Sequence, residues 1–170
     1  EARYGSLDGK AVTLLGTAYR FDSEDTRNSP TLALARLLLE RDCDVSITDP
    51  YVRLGDQNLT AYGLAQRFTR DLDEALEGAE VVIACTGHQV YADDREGLFE
   101  RARAMRLFVD ACNLYRPADM RGVDFQWTGI GRGVGRPSPD FIDFVHKGFV
   151  AVERGIAREV ASLVAFLNER

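Results

Sequence analysis

From Ala11 to Tyr51, apolar residues arrive in short blocks separated by polar stretches. The block Ala11-Val12-Thr13-Leu14-Leu15 is bounded by Gly9 and Gly16, the pattern of a strand buried in a parallel sheet. A long polar turn, Thr17 to Asn28, follows it. Ser29-Pro30 then predicts the start of a helix, with serine as N-cap and proline preorganised at the first helical position. Leu32, Leu34, Ala35, Leu38 and Leu39 recur at helical spacing, so one face of this helix packs on the sheet. A second strand, Val45 to Thr48, leaves through Asp49-Pro50.

The same alternation continues downstream. Leu54 to Arg70 is polar, and its pattern predicts one short helix around Ala61 to Phe68. Asp71 to Glu77 reads as a helix whose acidic first turn complements the helix dipole. Val81 to Cys85 is the most apolar strand and is expected at the centre of the sheet. Asp93 to Arg103 reads as a helix with Leu98 and Phe99 facing inward; Leu107 to Val109 and Phe125 to Trp127 read as strands. Strands alternating with helices predict an α/β fold: a Rossmann-like parallel sheet flanked by helices and joined by right-handed crossovers. From Pro137 the period changes. Phe141, Val145, Phe149, Val152, Ile156, Val160, Leu163 and Leu167 recur every three or four residues, predicting an extra C-terminal amphipathic helical tail, continuous or broken near Gly148. The expected division is a nucleotide-binding domain over 8–136 and a tail over 137–170, packed on that domain or at a subunit contact.

With 170 residues, the chain is long enough for one domain with a substantial core. Its net charge of −6, with scattered arginines, argues against nucleic acid or an anionic membrane as partner. No apolar run approaches the length that crosses a bilayer, and the start does not resemble a signal peptide. The three cysteines, Cys43, Cys85 and Cys112, form no Cys-x-x-Cys pair, and no histidine cluster completes a zinc site. Reduced thiols in a cytoplasm are the expectation. The first residue is Glu1 rather than methionine, so the chain is expected to be a piece of a longer polypeptide or one trimmed at its start, and processing gives the same start.

In open parallel sheets, ligands collect beyond the carboxyl ends of the strands. The segments expected there bring Arg20, Arg27, His88, Asn113 and Arg132 toward one crevice. Each has a bland alternative. Arg20 is an ordinary surface arginine unless it meets a phosphate. Arg27 can instead pair with Asp22, Glu24 or Asp25 and stiffen its loop. His88 follows a buried strand and suits a hydrogen-bonded structural histidine at least as well as a ligand contact. The run from Gly129 to Arg136 is glycine-rich, but it follows the last strand and is interrupted by Pro137, so a flexible turn is the simpler reading. Asp49, after the second strand, lacks the glycine fingerprint that would make it a ribose ligand.

Four motifs together carry a family resemblance. They are Leu15-Gly16-Thr17-Ala18-Tyr19-Arg20 with Asp25-Thr26-Arg27-Asn28-Ser29-Pro30 and Asp49-Pro50-Tyr51; Thr86-Gly87-His88; Val109-Asp110-Ala111-Cys112-Asn113; and Gly129-Ile130-Gly131-Arg132. In order and spacing they resemble the C-terminal, UDP-binding domain of the UDP-glucose/GDP-mannose dehydrogenase family, across roughly Asp8 to Arg132. The resemblance implies that Tyr19, Arg20 and Asn113 contact the nucleotide-sugar. It implies that Arg27 reaches toward NAD, held mainly by a domain absent from this chain, and that His88, Arg116 and Arg132 border the cleft. Two departures matter. Arg20 stands where the family has lysine, which keeps phosphate attraction but replaces a point charge with a planar fork. Cys112 stands where the family has arginine. Loss of that charge-assisted bond costs roughly 1.5–3 kcal/mol unless Arg116 reaches back to compensate.

The implied function is the UDP-sugar-binding domain of an NAD-dependent nucleotide-sugar 6-dehydrogenase, not catalytic alone, because the family's Gly-x-Cys motif is missing here. The alternative is a non-catalytic nucleotide-binding or oligomerisation module derived from that fold. The expected partners are a UDP-sugar and a second copy of the chain, joined through the C-terminal helix.

Overall fold

The computed structural model describes residues 6–130. They form six strands and five short helices: β1 (Ala11–Leu15), α1 (Pro30–Leu39), β2 (Asp44–Thr48), α2 (Gln57–Ala61), β3 (Phe68–Thr69), α3 (Leu72–Leu76), β4 (Val81–Ala84), α4 (Gln89–Asp93), α5 (Arg95–Arg101), β5 (Leu107–Asp110) and β6 (Gln126–Gly129). The strands lie in the order β3-β2-β1-β4-β5-β6, and each adjacent pair is parallel. This is the Rossmann-like sheet predicted from the alternation of apolar blocks. The segments after Pro137, including the predicted amphipathic helix, lie outside the described residues.

The two-residue period of β1 divides the core. Val12 and Leu14 join Leu32, Ala35 and Leu38 of α1 in one apolar layer. Leu15 joins Val82, Phe108, Leu76 and Leu98 in the layer on the other face. Thr13 also points to that second face, where its buried hydroxyl donates to the Ala75 carbonyl at 2.6 Å. Each strand therefore needs apolar or satisfied residues on both sides, which explains the unbroken burial of β4 and β5.

The order reverses between β1 and β4: β1 leads outward to β2, while β4 leads outward to β5. At this switch point the chain leaves β1 through Gly16, with φ +87°. A Cβ there would lie 2.5 Å from Thr86 Cβ and 2.9 Å from the Thr86 amide nitrogen. A side chain is excluded both by backbone conformation and by the close passage of the β4 exit. The crevice beyond these two strand ends is where such sheets bind ligands.

Three segments differ from the pattern-based expectation. The short helix expected around Ala61 to Phe68 starts earlier, at Gln57, because the Asp56 carboxylate caps it by accepting the Asn58 and Leu59 amides at 2.9 and 3.0 Å. Gly63, at φ +70°, follows the end of that helix; a 3₁₀ turn over Ala65–Arg67 and the two-residue β3 come next. The helix expected over Asp93 to Arg103 is α5, shortened to Arg95–Arg101; a separate short helix, α4, precedes it, and the two are divided at Asp94, whose φ of −107° and ψ of 43° are not helical. Gly97 leaves space there: a Cβ would lie 2.3 Å from an Asp94 carboxylate oxygen, which is paired with Arg101. Ser29 does occupy the N-cap position of α1, but its hydroxyl makes no capping bond and is buried without a partner among the described residues.

Candidate functional site

Asp49, directly after β2, is completely buried with both carboxylate oxygens occupied. Its Oδ2 accepts the Thr17 amide at 2.7 Å, the Ala18 amide at 3.0 Å and the Thr17 hydroxyl at 3.3 Å. The same oxygen lies 3.0 Å from His88 Nε2. Its Oδ1 accepts the Tyr51 and Val52 amides at 2.9 and 3.1 Å. Burial by itself would raise the Asp49 pKa. The His88 hydrogen bond and the backbone amides outweigh it and hold the carboxyl below its ordinary 3.8.

His88, equally buried, continues the chain of contacts. Its Nδ1 accepts the Asp22 amide at 2.8 Å, so the proton of the neutral ring sits on Nε2 and is donated to Asp49. The Asp22 carboxylate in turn accepts the Gln89 amide at 2.9 Å, at the start of α4. The Thr86 hydroxyl donates to the Ala18 carbonyl at 2.7 Å. Loop 17–28 is thus tied from beneath to the exits of both β2 and β4.

The outer part of the loop has its own braces. The Tyr19 amide donates to the Asp25 carbonyl at 2.7 Å. The Thr26 hydroxyl donates to Asp56 at 2.9 Å and accepts from the Asn58 amide group at 2.8 Å. Arg27 places Nε and Nη2 on the two oxygens of Asp25 at 2.8 and 2.7 Å. That side-chain contact is the main reason the exposed Asp25 carboxyl falls to about 2. Arg53 pairs with Glu24 at 2.9 Å. Of the possible acidic partners for Arg27, the fold therefore selects Asp25.

What the braced loop presents outward is Tyr19, Arg20 and Phe21. The two rings are 52% and 71% exposed, and Arg20 is exposed without a hydrogen bond or ion pair to the described residues. Tyr51, at the β2 exit, is 38% exposed. A free guanidinium between exposed rings can fork onto a phosphate while a planar group rests on an aromatic face. Sequence reasoning singled out Tyr19 and Arg20. It missed Asp22 and Asp49 as supports, and Phe21 and Tyr51 as exposed rings; the available signal was the Asp-Pro-Tyr at the strand exit.

The β5 exit contributes differently. The Asp110 carboxylate accepts the Leu114 and Tyr115 amides at 2.8 and 3.0 Å, turning the chain through Asn113 at φ +59°. Asn113 is exposed in this turn. Burial, then the Asp110 charge, pushes the Cys112 thiol up to about 12, and burial does the same for Cys85. Neither thiol supplies a thiolate at neutral pH. Arg116 donates its amide to Asp119 at 2.8 Å, while its exposed guanidinium makes no hydrogen bond or ion pair with the described residues. Arg132 lies outside the described residues. Among those residues, no cluster of three or more histidine, cysteine or acidic side chains is arranged to hold a metal.

Residues 13–117 match the UDP-glucose/GDP-mannose dehydrogenase family, UDP binding domain. The chain belongs to this family. It is 33% identical over 134 residues to a UDP-glucose 6-dehydrogenase of Pseudomonas aeruginosa, an alignment covering 75% of this chain and 29% of that protein. It is 28% identical over 123 residues to a UDP-N-acetyl-D-mannosamine dehydrogenase of Pyrococcus horikoshii, covering 72% of this chain and 25% of that one. The crystal structure of an NDP-N-acetyl-D-galactosaminuronic acid dehydrogenase from Methanosarcina mazei superposes with a TM-score of 0.62 at 26% identity, over 76% of this chain and 26% of its own. The chain thus spans under a third of the length of these relatives.

The Asp49 contacts predict a particular acid response. A carboxyl whose folded pKa lies below its unfolded value contributes stability that is fully present above about pH 4. That contribution is lost as pH falls through the lower, folded value. In urea unfolding from pH 5 to pH 2, the wild-type midpoint should fall with acid more steeply than that of Asp49→Asn. The variant should already be weaker at pH 7 by roughly 1.5–3 kcal/mol, the scale of hydrogen bonds to a charged group. Parallel pH profiles would remove Asp49 from the acid response.

Proposed function

We propose that this chain is the UDP-sugar-binding domain of an NAD-dependent nucleotide-sugar 6-dehydrogenase. The observation that carries the reading is Arg20, without a hydrogen bond or ion pair among the described residues and flanked by Tyr19 and Phe21, on a braced loop beside the switch point of a sheet belonging to this family. Arg20 forks onto the diphosphate, an exposed ring supports the base, and Asn113 adds an amide from the β5 exit. Arg27 uses Nε and Nη2 on Asp25. Its remaining donors face away from that carboxylate, toward an NAD held by another domain. Such an enzyme oxidises a sugar alcohol carbon to a carboxylate in two NAD-dependent steps, with this domain forming the UDP side of the cleft.

Isothermal titration should detect UDP binding, and Arg20→Ala should weaken it by roughly 1.5–3 kcal/mol, the scale of a charge-assisted contact. Equal affinity in wild type and variant would take Arg20 out of the site. One observation favours a second reading, a non-catalytic module that kept the sheet and lost the ligand: Cys112 brings no cation to the crevice. Absence of any UDP heat in the wild type would select that reading.

Alone, the chain is not a dehydrogenase, because its thiols are shielded and no dinucleotide fingerprint follows β1. Incubation with NAD and a UDP-sugar should give no NADH above the blank; NADH formation would contradict this.

The intended setting is cytoplasmic: the three cysteines are free, and no helix among the described residues is long and apolar enough to cross a membrane. Residues 137–170 join two copies through the apolar stripe in their sequence. Light scattering should find a dimer that Ile156→Glu converts to a folded monomer; a monomeric wild type would assign the stripe to its own domain.

A further inference from the structure

Loop 17–28 carries Asp22 at φ +52° and Asn28 at φ +55°, left-handed conformations that Asp and Asn adopt more readily than other residues with a side chain. Asp22 follows Phe21 directly and stands two residues after Arg20, so its position sets theirs. It is held at both ends: its amide by His88 Nδ1 and its carboxylate by the Gln89 amide, at 2.8 and 2.9 Å.

His88 is itself immobilised. Asp49 fixes Nε2, and the rings of Tyr51 and Tyr91 lie 5.0 and 5.6 Å away, inclined at 55° and 60°. The imidazole has no solvent exposure, so a ligand in the crevice does not meet it. One ring therefore links the buried end of β2 to the one loop residue that must hold a left-handed backbone next to Phe21.

We propose that His88 is a positioning residue for nucleotide binding. Through the Asp22 amide it sets Tyr19, Arg20 and Phe21 in ligand-ready geometry without touching the ligand. This rests on the reading of the crevice as a UDP site. The function of the ring is to be an acceptor at Nδ1, and that requirement is separable from its bond to Asp49.

Two substitutions divide the two bonds. In His88→Asn the amide oxygen can stand near Nδ1 and accept the Asp22 amide, while the reach to Asp49 is lost. In His88→Gln the longer amide can reach Asp49, and the acceptor for Asp22 is lost. Amide hydrogen exchange at Asp22 and UDP affinity are measured on both, beside thermal unfolding. The expected result is faster Asp22 exchange and roughly tenfold weaker UDP binding in His88→Gln, with both properties largely retained in His88→Asn although it is the less stable protein. Affinity that instead follows thermal stability across the three proteins, or Asp22 exchange that is the same in wild type and His88→Gln, overturns the proposal. If a His88 variant fails to fold, replacing the Asp22 backbone amide by an ester in a semisynthetic chain carries the test. It removes the N–H that His88 Nδ1 accepts and leaves the His88–Asp49 pair intact, so UDP binding should weaken by roughly tenfold; unchanged affinity overturns the proposal. A wild-type chain that takes up no UDP defeats the crevice reading instead, and Asp22 exchange alone then decides whether His88 holds the loop.

Discussion

A carboxylate cannot remain charged inside a protein unless donors surround it, and Asp49 shows what that requirement does to a fold. Six polar contacts from three chain segments converge on its two oxygens. To supply them, the β1 exit must turn at Thr17 and Ala18, the β2 exit must fold back at Tyr51 and Val52, and the β4 exit must bring in His88. The price of burying one charge is thus an ordered floor beneath the crevice. The close approach of Gly16 to Thr86 is a second consequence, because no side chain fits where the β1 and β4 exits pass each other.

Above that floor, the same loop has two faces with opposite chemistry. Its underside is saturated: backbone amides, hydroxyls and His88 each have partners. Its outer side leaves the side chains of Tyr19, Arg20 and Phe21 exposed, and the Arg20 guanidinium has no hydrogen bond or ion pair among the described residues. An exposed pair such as Arg27 with Asp25 adds little to stability, but it holds the charge of Arg27 at a defined place on the rim. Rigidity below and free donors above are what a binding surface needs, since ordering a mobile loop would otherwise be deducted from affinity.

Much of this was legible in the chain. The apolar blocks at Ala11, Val45, Val81 and Leu107 mark strands by their burial on both faces, and the spacing of Leu32, Ala35 and Leu38 marks the helix between two of them. The motifs around Arg20 and Arg27 carried the family. What stayed hidden had physical causes. β3 is two residues long, too short for a period to appear. The break at Asp94 lies in its non-helical backbone, which leaves no mark on the apolar period. The role of Asp49 depends on His88, which lies 39 positions away in the sequence and becomes its neighbour only when β2 and β4 flank β1. Phe21 looked like one more loop residue until the inward pull on Asp22 turned it outward.

The central claim is that a nucleotide sits on the outer face of this loop, over the β1–β4 switch point. Titration of the isotopically labelled chain with UDP, followed residue by residue through its backbone amide resonances, tests it directly. The account predicts that the largest shifts fall on residues 19–22 and at Asn113, at the carboxyl ends of the strands. Shifts that instead gather around Lys10, Glu80 and Arg106 at the opposite end of the sheet, or none at saturating UDP, would contradict it.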